Sequence, residues 1–329
     1  MKRTDTVVIG GGQAGLAMSH CLSERGIEHV VVERGRIAER WRSERWDSLR
    51  LLTPRWQSRL PGFRYEGPEP DGYMTASEFV GYLDRYARSF APPVLTGTNV
   101  ERVEACASGY RVATDRGTWE AANVVVATGP CDTPLVPPLA GRLAARVHQA
   151  VPTRYKRPDD LPPGGVLVIG ASASGVQLAE EIHASGRPVT LAVGRHTRMP
   201  RTYRGADIMF WLDAMGTLDE PASGAHDLDA ARRQPSMQLV GRPDRRTLDL
   251  AALERRGIRL VGRVLDARGH LLTLARDLAD STSHADAKLA RLLDRIDAFV
   301  ASTGLGHEVD GPERPRPFRP ARAPETLDL

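Results

Sequence analysis

Two short stretches have the residue types and spacing needed to hold a diphosphate. Residues 7–15 read Val-Val-Ile-Gly-Gly-Gly-Gln-Ala-Gly, and residues 166–175 read Val-Leu-Val-Ile-Gly-Ala-Ser-Ala-Ser-Gly. In the first, Gly10, Gly12 and Gly15 stand at G-x-G-x-x-G spacing, with Gln13 and Ala14 filling the gap. The first glycine of such a loop permits a tight turn, the second lets backbone approach a pyrophosphate, and the third lets helix pack close on strand. The free N–H groups and positive dipole end of that helix then favour an anion. In the second stretch Gly170 and Gly175 keep the outer positions, Ser172 replaces the middle glycine and crowds the pyrophosphate somewhat, and Ala173 and Ser174 lead into the next segment.

The rims of the two loops differ in charge. After the first loop comes Glu33, an acid suited to ribose hydroxyls. Counting from Gly170 the distance that separates Gly10 from Glu33 reaches Val193, followed by Arg195, His196 and Arg198. No acid stands where it would repel a phosphate, and an arginine offers phosphate oxygens a planar fork of donors. The first loop therefore suits the adenosine of FAD and the second suits NADPH, with its 2′-phosphate. An alternative for the arginines is a solvated loop in an arginine-rich chain.

The elements that would position these loops are legible from periodicity. Residues 6–10 and 165–170 are short apolar runs, the pattern of buried parallel strands. Leu16, Ala17, Cys21 and Leu22 follow the first loop at helical spacing, and residues 176–186 follow the second in the same way. Residues 110–129 read as two alternating strands about an Asp-Arg-Gly turn, then a buried strand. Phe79, Tyr82, Leu83 and Tyr86 mark a helix, as do Leu289, Leu292, Leu293, Ile296, Phe299 and Val300, the latter ended by Gly304. Residues 311–324 carry five prolines and read as an extended linker. The fold class is thus α/β, with two Rossmann-like dinucleotide-binding domains.

Composition narrows the function. The chain has 329 residues, 41% hydrophobic and 26% charged, as in a soluble globular protein. No apolar run is long enough for a membrane helix, which argues for the cytoplasm and against a membrane partner. The net charge of +4 comes from arginines spread along the chain without interleaved aromatics, so nucleic acid is not indicated. Cys21, Cys106 and Cys131 form no C-x-x-C pair, which leaves a disulfide reductase without its redox motif.

Between the loops, residues 39–54 (Glu-Arg-Trp-Arg-Ser-Glu-Arg-Trp-Asp-Ser-Leu-Arg-Leu-Leu-Thr-Pro), 76–87, 123–130 and 148–158 resemble the flavin-containing monooxygenases, including bacterial and plant YUCCA-like members. The resemblance covers residues 5 to about 205. It implies that Trp41 and Trp46 lie near the flavin, that Ala127, Thr128 and Gly129 form the turn leaving the FAD domain, and that residues 194–205 hold the 2′-phosphate. Arg34, Thr53 and Val100 complete the expected FAD set. Trp41 and Trp46 read equally well as core aromatics. The family's phenylalanine-x-glycine-x-x-x-histidine motif survives here only as His148, with Arg142 and Ala144 replacing the other two. The family's closing part, a second ATG strand and a glycine-rich segment over the flavin, is expected to be missing after the linker.

The expected organisation is an FAD domain over 1–150, an NADPH domain over 151–310, and a Pro/Arg-rich linker over 311–329 that begins a return to the FAD domain. The function the resemblance implies is an oxidoreductase passing hydride from NADPH to flavin, whose C4a-hydroperoxide gives oxygen to a small nitrogen or sulfur nucleophile or a ketone. Partners are then molecular oxygen and a small-molecule substrate, with self-association left open. The alternative is a nucleotide-binding protein without oxygenase turnover: a sensor, a partner subunit or an uncoupled NADPH oxidase.

Overall fold

The computed structural model describes residues 1–224 and 227–329, which fold as two compact units. Unit 1 comprises residues 1–135 with 151–156, and unit 2 comprises 136–150 with 157–329.

Unit 1 begins with β1 (Lys2–Ile9), α1 (Gln13–Glu24) and β2 (His29–Val32). A short helix α2 (Glu39–Ser43), a hairpin of β3 (Arg59–Leu60) and β4 (Phe63–Arg64), and α3 (Ala76–Phe90) follow. Then come β5 (Val94–Leu95), β6 (Val100–Cys106), β7 (Gly109–Thr114) and β8 (Gly117–Val126). Six strands form one sheet in the order β5-β2-β1-β8-β7-β6, parallel from β5 to β8 and antiparallel beyond. Val7, Val8 and Val31 are fully buried, as the apolar β-branched runs require of strands covered on both faces. The helix marked by Phe79, Tyr82, Leu83 and Tyr86 is α3, whose start is fixed by a reciprocal Thr75/Glu78 capping box. Residues 117–126 are one strand, not two: β8 pairs with β7 over Gly117–Ala121 and with β1 as far as Val126.

Unit 2 repeats the opening: β9 (Val166–Ile169), α4 (Ala173–Ala184) and β10 (Val189–Ala192). Short strands β11 (Thr197–Arg198), β12 (Thr202–Tyr203) and β13 (Ala206–Asp207) lead to α5 (Ile208–Ala214), α6 (Leu228–Arg232), β14 (Met237–Gln238) and α7 (Leu250–Arg255). The unit ends with β15 (Arg259–Val261), β16 (Val264–Arg268), β17 (Leu271–Leu274), α8 (Leu278–Thr303) and β18 (Thr326–Asp328). Its nucleotide sheet runs β15-β10-β9, all parallel. Helix α8 buries Leu289, Leu292, Leu293, Ile296 and Val300 on one stripe and stops where Gly304 turns left-handed at φ 74°.

Three stretches differ from the sequence reading, the first being residues 151–156, which belong to unit 1. Residues 136–150 belong to unit 2, because Leu139 and Leu143 pack against the apolar cluster of Val261, Val264 and Leu272, and Ala144 N donates to Gly269 O at 2.8 Å. Residues 311–329 also lie on unit 2 and do not return to unit 1. Leu327 stands opposite Leu272 in antiparallel register, so β18 adds an edge strand to the β16-β17 hairpin. A three-residue strand after a proline-rich run leaves no periodicity to read.

Candidate functional site

In unit 1, the turn from β1 into α1 is built by steric necessity. Gly10 sits at φ 113°, and a Cβ there would stand 2.5 Å from Ala127 O; a Cβ on Gly15 would stand 1.8 Å from Gly10 O. Around Gly12 no atom lies within 4 Å of a Cβ position, so the backbone is open on the side where a diphosphate would approach. Gln13 and Ala14 are exposed at the N-terminus of α1, and Thr128 and Gly129 are exposed at the end of β8. These groups converge on one cradle and fit a dinucleotide.

Glu33 closes the rim of this cradle. It is 9% exposed, and its carboxylate accepts from Gly11 N at 2.6 Å and Gly35 N at 2.8 Å. The chain after β5 seals the outer side, with Thr98 N donating to Glu33 O at 2.9 Å. Arg34 pairs with Asp132 at 2.5 Å, which fastens the chain beyond the turn at Gly129. Trp41 packs edge-on to Phe79 with ring centroids 4.7 Å apart, and Trp46 is 4% exposed. Thr53 is half-buried in the bend that follows Leu51. At the start of β6, the half-buried Val100 side chain packs against the cluster of Val7, Val30 and Val32.

In unit 2, a Cβ on Gly175 would again stand 1.8 Å from Gly170 O, so the same helix-on-strand approach recurs. Ser172 is the N-cap of α4 in extended geometry, with Ala173 buried and Ser174 exposed behind it. The rim is neutral at Val193, which is fully buried and whose N–H donates to Val261 O at 2.9 Å.

The three basic residues expected beyond it divide. Arg195 is exposed and makes no ion pair among the described residues. Arg198, by contrast, is buried: its guanidinium bonds Asp249 at 2.7 Å, Asp286 at 2.5 Å and Arg316 O at 3.0 Å. Its donors are consumed by the protein, which corrects its assignment to a phosphate. His196 is buried with Nδ1 at 3.0 Å from Gly194 O, and burial pushes its imidazole below the usual histidine range. Buried in this way, His196 presents no open cation at the rim, a second correction.

One basic residue escaped the sequence reading. Arg263 follows β15, the neighbour of β10, and its Cδ lies 4.0 Å from a Cβ built on Gly194. Its only carboxylate partner among the described residues is Asp277 at 3.4 Å, in an open pair whose arginine is 62% exposed. The signal was topological: in unit 1 the chain after β5 closes on the Glu33 rim, and β15 occupies the corresponding place in unit 2.

Residues 7–215, more than half of the chain, match the family model described as pyridine nucleotide-disulphide oxidoreductase. The chain belongs to this family. Among curated relatives, an uncharacterized CzcO-like oxidoreductase of Geobacillus kaustophilus is 41% identical over 217 residues, 65% of this chain and 62% of that protein. An indole-3-pyruvate monooxygenase of Arabidopsis thaliana is 33% identical over 199 residues, 58% of this chain and 48% of that one. The chain thus spans about three fifths or less of the length of these relatives. Among solved structures, a flavin-containing monooxygenase from Stenotrophomonas maltophilia superposes with a TM-score of 0.62 at 23% identity, over 84% of this chain and 74% of that one. A bacillithiol disulfide reductase from Bacillus cereus gives 0.58 at 20% identity, over 84% and 73%. These likenesses show a shared two-nucleotide fold, and FAD and NADPH are the cofactors that go with this family and fold. No helix of the described residues is long and apolar enough to cross a membrane.

Proposed function

We propose that this chain carries the FAD and NADPH sites of a flavin monooxygenase that acts on a small organic substrate. One observation carries the reading: two cradles of the same glycine geometry have rims of opposite character. Glu33 holds the first, whereas Val193, Arg195 and Arg263 surround the second. An acid at the rim favours ribose hydroxyls and disfavours a 2′-phosphate; two open guanidinium groups favour the phosphate.

In this reading Gly10, Gly12, Gly15 and the α1 N-terminus hold the FAD diphosphate, and Gly170, Ser172 and Gly175 hold that of NADPH. When bound, the pair supplies electron transfer from nicotinamide to flavin and the activation of molecular oxygen. The protein's part is to orient the two dinucleotides and to select the phosphorylated one. Arg195 and Arg263 make that selection, since neither is committed to a buried partner. Cys21, Cys106 and Cys131 are each free thiols, far apart in sequence, which gives a disulfide reductase no dithiol to work with. The likeness to plant indole-3-pyruvate monooxygenases supports oxygenation of a small acid or ketone.

The test is spectroscopic. Protein reconstituted with FAD should be bleached under nitrogen faster by NADPH than by NADH. Arg195→Ala and Arg263→Ala should each erase most of that preference through the KM for NADPH. Equal rates with the two cofactors in the unaltered protein would refute the NADPH assignment.

A further inference from the structure

Arg45, just past α2, is a half-buried cation without a counterion. Its guanidinium lies over the Trp41 ring, 4.9 Å from the centroid, and its one hydrogen bond runs from Nη1 to Glu44 O at 3.1 Å. Among the described residues no carboxylate lies within ion-pair distance of it. The surroundings make this worse. Arg40 bonds Glu44 at 2.7 Å and donates to Cys131 O, Lys156 Nζ donates to Arg45 O at 2.8 Å, and Arg34 takes Asp132 while approaching Glu44 at 3.7 Å. Four cations therefore share two carboxylates. Burial and the neighbouring Arg40 push the Arg45 guanidinium below the usual arginine range. Removing a charge from water without a partner is costly, and a protein keeps such a group where a ligand supplies the missing charge.

The location says which ligand. Arg40 Nη1 lies 3.6 Å from a Cβ position on Gly129, in the exposed turn that begins at Ala127, whose carbonyl backs Gly10 of the first glycine loop. The cluster flanks the mouth of the first cradle. We infer that Arg45, with Trp41 at its back, binds an oxyanion in the flavin site through the planar fork of its guanidinium. The fork fits a phosphate or a carboxylate equally, so the anion is either the FAD diphosphate or the carboxylate of an organic acid substrate. This rests on the reading that FAD occupies the first cradle.

The experiment uses the full chain and three proteins: unaltered, Arg45→Gln and Arg45→Lys. FAD affinity is measured by flavin fluorescence, and the visible spectrum of bound flavin is followed during titration with phenylpyruvate. If the anion is the diphosphate, Arg45→Gln weakens FAD at least tenfold and Arg45→Lys recovers part of the loss. If it is a substrate carboxylate, FAD is held as before and the phenylpyruvate response moves at least tenfold higher in Arg45→Gln. Unchanged FAD affinity together with no Arg45-dependent response to phenylpyruvate overturns the inference. Should Arg45→Gln lose its fold by circular dichroism, the lysine variant carries the same comparison, because it keeps the charge and loses only the fork. An unaltered chain that takes up no FAD overturns the cofactor reading itself, and this inference with it.

Discussion

Glu33 Oε2 accepts a hydrogen bond from Gly11 N at 2.6 Å, so the acid at the end of β2 braces the glycine loop it adjoins. The second oxygen accepts from Gly35 N at 2.8 Å. The shape of the loop, and with it the ribose recognition proposed above, therefore depends on one buried carboxylate. A carboxylate bonded to backbone N–H groups is a charge-assisted acceptor, and losing one such bond costs roughly 1.5–3 kcal/mol. Glu33→Gln, which has one acceptor oxygen in place of two, should weaken FAD binding by about that amount and lower the melting temperature in the absence of FAD as well. An unchanged apo melting temperature would show that Glu33 serves the ligand alone.

Arg195 and Arg198 stand three residues apart and should fail in opposite ways. Removing Arg198 leaves Asp249 and Asp286 facing each other, 10% and 14% exposed, without their cation. Breaking a buried pair by deleting one partner costs about 3–5 kcal/mol, so Arg198→Ala should unfold at markedly lower denaturant. Arg195→Ala touches nothing buried and should stay within about 0.5 kcal/mol of the unaltered chain, while weakening 2′,5′-ADP and sparing 5′-AMP. Calorimetric titration of both nucleotides into both variants checks the division. Equal stability loss in the two would remove the structural role given to Arg198.

The parts of this molecule written in periodicity were legible in the sequence. The runs at β1 and β9, the stripe on α8 and the stop at Gly304 each follow from a repeat or from a backbone demand that only certain residues meet. What depends on distant partners was not. Arg195 and Arg198 are chemically identical in sequence, and only Asp249, at the N-cap of α7, and Asp286, on α8, decide which one is spent. Arg263 reaches the rim because β15 lies beside β10, an adjacency that no local pattern announces. Residues 311–324 form neither helix nor strand, and their path follows the acids on the surface they cross: Arg314 pairs with Asp294 at 2.6 Å, and Phe318 N donates to Asp286 at 2.7 Å.

That path makes the last strand a fastening for the loop at Arg198. Asp286 gives one oxygen to Arg198 and the other to Phe318 N, while Arg316 O accepts from Arg198 at 3.0 Å. Further along, Leu274 N donates to Glu325 O at 2.8 Å, and Leu327 packs on the cluster formed by Val264, Ala267 and Leu272. Leu327→Asp places a charge on that apolar surface, where only desolvation awaits it, and should release β18 from β17. The Leu274 amide then loses its acceptor and should exchange with solvent at least tenfold faster, whereas β16 and β17, paired through Val264 and Leu274, keep their protection elsewhere in the hairpin. Release should spread as far as Phe318, so its amide should also exchange faster. Faster exchange at Leu274 with an unchanged Phe318 amide would confine the effect to the strand, and show that the prolines between them hold the crossing segment on their own.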